Sequence, residues 1–438
     1  MMDEKLKKFV EQLDKLNNKN IEYGYSKCKL FGESDIMEDS DKVYNKELDI
    51  FYVIRRASCH SAPYMVFFNG GPGVGFTDGF VDMLDSDSFF PGVNVVCMDQ
   101  RGTGCSNKPS NNLMELKYFT AKYISYDTDQ LRRKLLGEDG KWYAFGESYG
   151  GHVIRKYLEL YPQNVLSFIS FGYGECSPVN MKVNIQLQLF RVIDSYFEKY
   201  PEDLIILEDL RTRLKDSDCI ETEKARVCGK YLVDAMAFVF GLFPEDKIHE
   251  LIMKFNGENI VEIFIKEISF LVKLLLNASA GTLNPVVAYI DLLEGITDEL
   301  LASKVSGKLQ ELGYDVEKEN FSKSRFARNI VKKEKDIESE GLEKLFVNGS
   351  FHPDPIDFNK VIKNIKSFGI KLHVFGSRND TMTPVDAIEE EERKVKQLDS
   401  CEDYEFHYTL GNHREWLHNN IIFNDIIGVS STVNAKLV

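Results

Sequence analysis

The sequence predicts an α/β fold, a mostly parallel sheet flanked by helices, with a helical cap inserted into it. Three observations carry that expectation. Short apolar runs that stop at glycine turns, such as YMVFFNGGPG (Tyr64 to Gly73) and VNVVCMDQRG (Val93 to Gly102), alternate with helical spacing such as that of Ile124 to Leu136, the pattern of strands covered on both faces. Ser148 sits among three glycines in FGESYGGHVIR, and a serine on a sharp strand-to-helix turn needs small neighbours where a buried helical serine does not. From about Val179 to Val347 the rhythm changes to long amphipathic stretches with few strand signals.

In chain order, MMDEKLKKFVEQLDKLNN places Leu6, Phe9, Val10, Leu13 and Leu16 at helical spacing among charges, which is a surface helix and lacks the apolar region of a signal peptide. LDIFYVIRR from Leu48 reads as an early strand, followed by the two glycine-terminated strands. The strand KWYAFG then leads into the Ser148 turn, a helix to Tyr161 and the strand VLSFISFGYG. NIQLQLFRVIDSYFEKY and VEIFIKEISFLVKLLL are the clearest helical stretches of the insertion. The sheet pattern resumes with GIKLHVFGSRND, the helix AIEEEERKVKQL, the strand YEFHYT and a last helix after Asn419. The expected division is residues 1–178 for the first part of the core with its N-terminal helix, 179–347 for the cap, and 348–438 for the second part of the core.

At 438 residues, 43% hydrophobic and 28% charged, the chain has ample material for a core. Its net charge of −15 disfavours nucleic acid and anionic membranes as partners, since both draw affinity from clustered Lys and Arg. Apolar runs such as Ala235 to Phe243 fall short of the roughly 18 residues of a membrane span. Eight cysteines are scattered without CxxC spacing, which reads as reduced thiols in the cytoplasm. No Cys or His cluster shows ligand spacing, so no metal and no cofactor are expected. Oligomeric state is left open by the sequence.

Gly146, Glu147, Ser148, Tyr149 and Gly150 fit G-x-S-x-G between a strand and a helix, the context of a nucleophile elbow. A plain glycine turn is the competing reading, so the partners decide. In this arrangement an acid and then a histidine follow the serine, each beyond a later strand. Asp380 ends LHVFGSRND and His413 lies in LGNHREW beyond YEFHYT; His407 falls inside that strand and His418 past the loop, which points to structural roles. Asp380 also fits an ordinary turn or cap. Chemically, His413 would take the Ser148 proton and return it to the leaving group, while Asp380 would fix its tautomer. The backbone N–H groups of Tyr149 and of Gly71, in the turn after the YMVFF strand, are the oxyanion-hole candidates.

Together FFNGGPGVGF, MDQRGTGCS and FGESYGGHV resemble the prolyl aminopeptidase (proline iminopeptidase) family of α/β-hydrolases, in its longer branch. The resemblance runs from about Leu48 to Leu417, with LRRKLLG, YPED, NDTM and GNH in matching order. It implies an α/β-hydrolase fold and a metal-free serine peptidase that releases an N-terminal residue, usually proline, from short peptides, with Ser148, Asp380 and His413 as triad and Gly71 and Tyr149 as oxyanion donors. Asp99 to Ser106 would chiefly hold the loop beside the site. Asn69 and Glu147 depart from the family's usual residues. The cap glutamate that anchors the substrate amine in the family has no clean counterpart, and Asp291 or Glu294 in NPVVAYIDLLEG, Glu175 in GYGEC, or Glu147 are the candidates. Glu147 needs a partner if buried, either that ammonium or the Asn69 side chain. The competing functions are an esterase or thioesterase acting on another small acyl substrate, a carboxypeptidase-like hydrolase, to which NGGPG and GESYxG are also similar, and a non-catalytic binding protein.

Overall fold

The computed structural model describes residues 4–16, 20–31, 47–85, 90, 92–109, 113–221, 226–234, 236, 239–240, 243–255, 257–279, 291–292, 298–313, 352–398, 401–411 and 413. Its framework is an eight-stranded sheet in the order β1-β2-β4-β3-β5-β6-β9-β10. The strands are β1 (Ile21–Lys29), β2 (Glu47–Arg55), β3 (Tyr64–Phe68), β4 (Asn94–Met98), β5 (Trp142–Glu147), β6 (Val165–Phe171), β9 (Lys371–Ser377) and β10 (Tyr404–Thr409), with β7 (Cys219–Glu221) and β8 (Arg226–Cys228) forming a separate hairpin. β1 and β2 are antiparallel to their neighbours and the remaining pairs are parallel.

Side-chain alternation explains why these runs are so apolar. In β3, Val66 and Phe68 enter the cluster on one face, with Ile154, Tyr157 and Val361, while Met65 and Phe67 enter the cluster on the other, with Phe9 and Phe76. A strand buried on both faces must be apolar at every position. β1 shows the opposite case. It is an edge strand with most of IEYGYSKCK exposed or half-exposed, so its mixed composition hides it from a hydrophobicity reading.

The longer helices are α1 (Glu4–Leu13), α2 (Ala121–Leu136), α3 (Tyr149–Leu160), α4 (Pro178–Lys199), α5 (Pro201–Arg213), α6 (Glu245–Ile252), α7 (Ile260–Ser279), α8 (Asp298–Glu311), α9 (Phe358–Phe368) and α10 (Val385–Gln397). Ile193 and Tyr196 of α4, Leu207 and Leu210 of α5, Ile252 of α6 and Phe264 of α7 are buried together in a cluster of their own. None of the described helices is long and apolar enough to cross a membrane.

The β7–β8 hairpin corrects the expectation of unpaired thiols. Cys219 and Cys228 are opposite one another in its register, their Cα atoms 4.1 Å apart, and they are joined as a disulfide. Sequence spacing suggested no pair because the hairpin, not a CxxC motif, brings the two together. Such bonds are uncommon in reducing compartments, so the cysteines no longer argue for a cytoplasmic location. Cys28, Cys59, Cys97, Cys105 and Cys176 remain thiols.

Candidate active site

The site forms where the sheet order reverses. β3 lies between β4 and β5, and in open α/β sheets the crevice at such a switch point lies beyond the carboxyl ends of the strands. Phe68 is in register with Gly146 and Glu147 with Phe171, so the turns after β3, β5 and β6 converge. Phe171 is in register with Phe375 and Ser377 with Thr409, which brings the segments after β9 and β10 to the same edge.

Ser148 occupies φ 54°, ψ −124° at the junction of β5 and α3, a conformation that costs a non-glycine residue about 1–3 kcal/mol. Its N–H donates to the Phe171 carbonyl at 2.8 Å and its carbonyl accepts from Gly151 N–H at 2.7 Å. The glycines are required by contact rather than by freedom. A Cβ on Gly150 would lie 2.0 Å from the Phe68 carbonyl oxygen, and one on Gly146 would lie 2.5 Å from the Gly150 carbonyl oxygen.

Asp380 and His413 are brought together. His413 Nδ1 donates to Asp380 Oδ2 at 2.7 Å, and Asp380 Oδ1 accepts from the N–H groups of Met382 and Thr383, each at 2.8 Å. Asp380 is fully buried. With Nδ1–H held in this way, neutral His413 presents a lone pair at Nε2, and that atom lies 3.4 Å from Glu147 Oε1. Gly172, at φ 63°, turns the chain after β6 beside the pair, where a Cβ would lie only 3.3 Å from His413 Nδ1. His407 stacks on Phe375 within the sheet; His418 lies outside the described residues.

Glu147 is buried, and its Oε2 accepts from Gly70 N–H at 2.8 Å. The expected contact with the Asn69 side chain is not made: Asn69 Nδ2 donates to the carbonyls of Gly70 and Val74, and its buried Oδ1 has no partner among the described residues. The backbone of the turn outcompetes the neighbouring side chain. Because Glu147 takes the Gly70 N–H, Gly71 is the next donor along the loop, which continues through a cis Gly71–Pro72 bond. Tyr149 is the first residue of α3, where a backbone N–H has no helical acceptor.

Two of the other acidic candidates, Asp291 and Glu175, have found partners. Asp291 Oδ2 accepts from Tyr149 Oη at 2.6 Å and from Ala121 N–H at 2.8 Å, where it caps α2. Its Oδ1 is buried without a partner among the described residues, and burial pushes the carboxyl up to about 7. Glu175 Oε2 accepts from Tyr173 Oη, and burial together with the Glu391 carboxylate pushes it up to about 7. Glu294 lies outside the described residues. His152, which the motif reading passed over, stacks on the Tyr149 ring and shares a hydrogen bond of 2.8 Å between Nδ1 and Tyr173 Oη. Its signal in the sequence was its position on the first turn of α3, four residues after Ser148.

Beneath the site, Arg155 of α3 pairs with both oxygens of Glu391 of α10 and donates to Ser170 Oγ of β6. On the other side, Asp99 accepts from Thr77 and from Cys105 N–H, and the buried pair of Arg101 with Asp127 ties the DQRG turn to α2. These contacts fix the loops rather than reach the Ser148 turn.

A family model described as the alpha/beta hydrolase fold matches residues 63–213, the stretch that contains β3 to β6 and the Ser148 elbow. The chain carries an α/β-hydrolase domain. The chain is 26% identical over 174 residues to proline iminopeptidase aneH of Aspergillus aculeatus, covering 35% of this chain and 39% of that protein. It is 24% identical over 277 residues to the proline iminopeptidase of Aeromonas sobria, covering 58% of this chain and 61% of that one. The chain therefore spans between 39% and 61% of the length of these curated relatives. The crystal structure of a proline iminopeptidase from Mycobacterium smegmatis is also similar, with 14% identity, coverage of 92% and 96% of the two chains and a TM-score of 0.37.

Proposed function

We propose that the protein is a serine exopeptidase that releases an N-terminal residue, proline foremost, from short peptides. The observation that carries this reading is the position of His413, tied through Nδ1 to Asp380 at 2.7 Å with Nε2 turned toward the residue next to Ser148. In this reading His413 deprotonates Ser148 Oγ as it attacks the scissile carbonyl, and then protonates the leaving amine as the acyl-enzyme forms. Water attacks the ester with the same base, which frees the amino acid and restores Ser148. The Gly71 and Tyr149 N–H groups bind the oxyanion, each supplying about 3 kcal/mol. No step calls on a metal or cofactor.

In this reading the described helices α4 to α8 belong to the cap over this site. The substrate ammonium lies two bonds from the carbonyl under attack, so its anchor has to sit beside Ser148. Glu147 meets that requirement among the described candidates. Asp291 and Glu175 are engaged with Tyr149 and Tyr173, which fits positioning roles. A carboxypeptidase would need a donor such as the Asn69 amide for the substrate carboxylate, and that amide is committed to two carbonyls.

The test is hydrolysis of prolyl-aminomethylcoumarin against its N-acetylated form, with alanyl and leucyl analogues and a short acyl ester. The reading expects fast release only from the free amine and a raised KM in Glu147→Gln. Ester turnover without amide cleavage would move the assignment to an esterase, and cleavage of N-blocked peptides from their C-terminus would move it to a carboxypeptidase.

A further inference from the structure

We infer that His373, Glu405 and His407 form a site for one divalent transition-metal ion of the zinc class at the outer edge of the sheet, apart from the Ser148 site. The ladder assembles it. His373 of β9 is in register with Glu405 of the edge strand β10, and His407 lies two residues further along β10, on the same face as Glu405. His373 Nδ1 lies 3.3 Å from His407 Nε2 and 3.4 Å from Glu405 Oε2, and the latter pair are 3.8 Å apart.

Three atoms so spaced leave a point about 2.0 Å from each, the length of Zn–N and Zn–O bonds. Two imidazole nitrogens and one carboxylate oxygen suit zinc, cobalt, nickel or copper better than magnesium or calcium. The donors are also held in place. His407 stacks on Phe375 with ring centroids 4.3 Å apart, and His373 is only 6% exposed. Glu405, with 47% of its side chain exposed, opens the remaining coordination positions to water. Without the ion, the two imidazoles share a hydrogen bond; the ion takes its place, and the bridging proton moves to the other nitrogen of its own ring, so both ligands stay neutral imidazoles.

Bound metal would clamp β10 to β9, the two strands that lead to His413 and Asp380, and so stabilise the sheet edge without touching reacting atoms. A second cluster, Glu202, Asp203 and His249, is a weaker candidate because Asp203 already accepts from Tyr196 Oη and His249 Nδ1.

The experiment titrates chelator-treated full-length protein with Zn²⁺ by calorimetry, and with Co²⁺ by visible absorption. The expected result is one ion per chain, cobalt ligand-field bands, a midpoint of thermal unfolding raised by several degrees at saturating zinc, and affinity reduced at least about tenfold in both His407→Ala and Glu405→Gln. Both side chains are partly exposed, so the variants should fold, and their circular dichroism and hydrolase rate should match the parent. No stoichiometric binding, binding unchanged in these variants, or binding lost instead in His249→Ala would overturn the proposal.

Discussion

At the scale of single residues, the arrangement turns on what lies on either side of the His413 ring. Asp380 and Glu147 flank it at 2.7 and 3.4 Å. Glu147→Gln keeps the shape of that side chain and removes its charge, so under the proposed function it should raise KM for prolyl-aminomethylcoumarin more than it lowers kcat; an unchanged KM would mean that Glu147 does not anchor the substrate ammonium. The strand ends that carry Ser148, Asp380 and His413 were legible in the sequence because each residue follows a strand signal. The contact of Glu147 with Gly70 was not, since Gly70 comes from a turn 77 positions away and only the register of β3 against β5 makes them neighbours.

At the scale of elements, α3 is held against the sheet by contacts that leave no room for change. Gly150→Ala would push a methyl group against the Phe68 carbonyl oxygen, and overpacking of this kind costs about 1–3 kcal/mol. Lower denaturant resistance together with lower turnover is expected. Arg155→Met leaves the buried Glu391 carboxylate without its main partner, and a loss of about 3–5 kcal/mol should appear in chemical denaturation; a loss below about 1 kcal/mol would show the pair to be dispensable. The strands covered on both faces were readable as apolar runs, and the half-exposed edge strand β10 was readable to the residue as YEFHYT. β1 and the β7–β8 hairpin were not, because an exposed edge and a three-residue strand carry too little hydrophobic pattern to stand out.

At the scale of the molecule, Asp291 joins the segment after α7 to the first turns of α2 and α3 through Ala121 and Tyr149. Its carboxyl is raised from 3.8 to about 7 by burial. Below pH about 4 both the folded and unfolded forms hold the proton. As pH rises toward 7, the unfolded chain ionises first and the folded state loses relative stability. The stability of Asp291→Asn, measured against the parent, should thus improve steadily between pH 4 and 8, and a constant difference across that range would show that Asp291 is ionised in the fold. The alternation of strands and helices made the mostly parallel sheet legible at this scale. What patterns could not supply was the long-range contact that positions Asp291 and the short hairpin that unites Cys219 with Cys228.

The central claim is that Ser148 is a nucleophile activated by His413, and active-site labelling tests it most directly. The folded protein would be treated with a fluorophosphonate, the modified peptide mapped by mass spectrometry, and the labelling rate compared across Ser148→Ala, His413→Ala and Asp380→Asn. The account predicts a single adduct on Ser148, absent in Ser148→Ala and formed at least about a thousandfold more slowly in His413→Ala. Rapid labelling that persists in Ser148→Ala, or that is unchanged in His413→Ala, would contradict it.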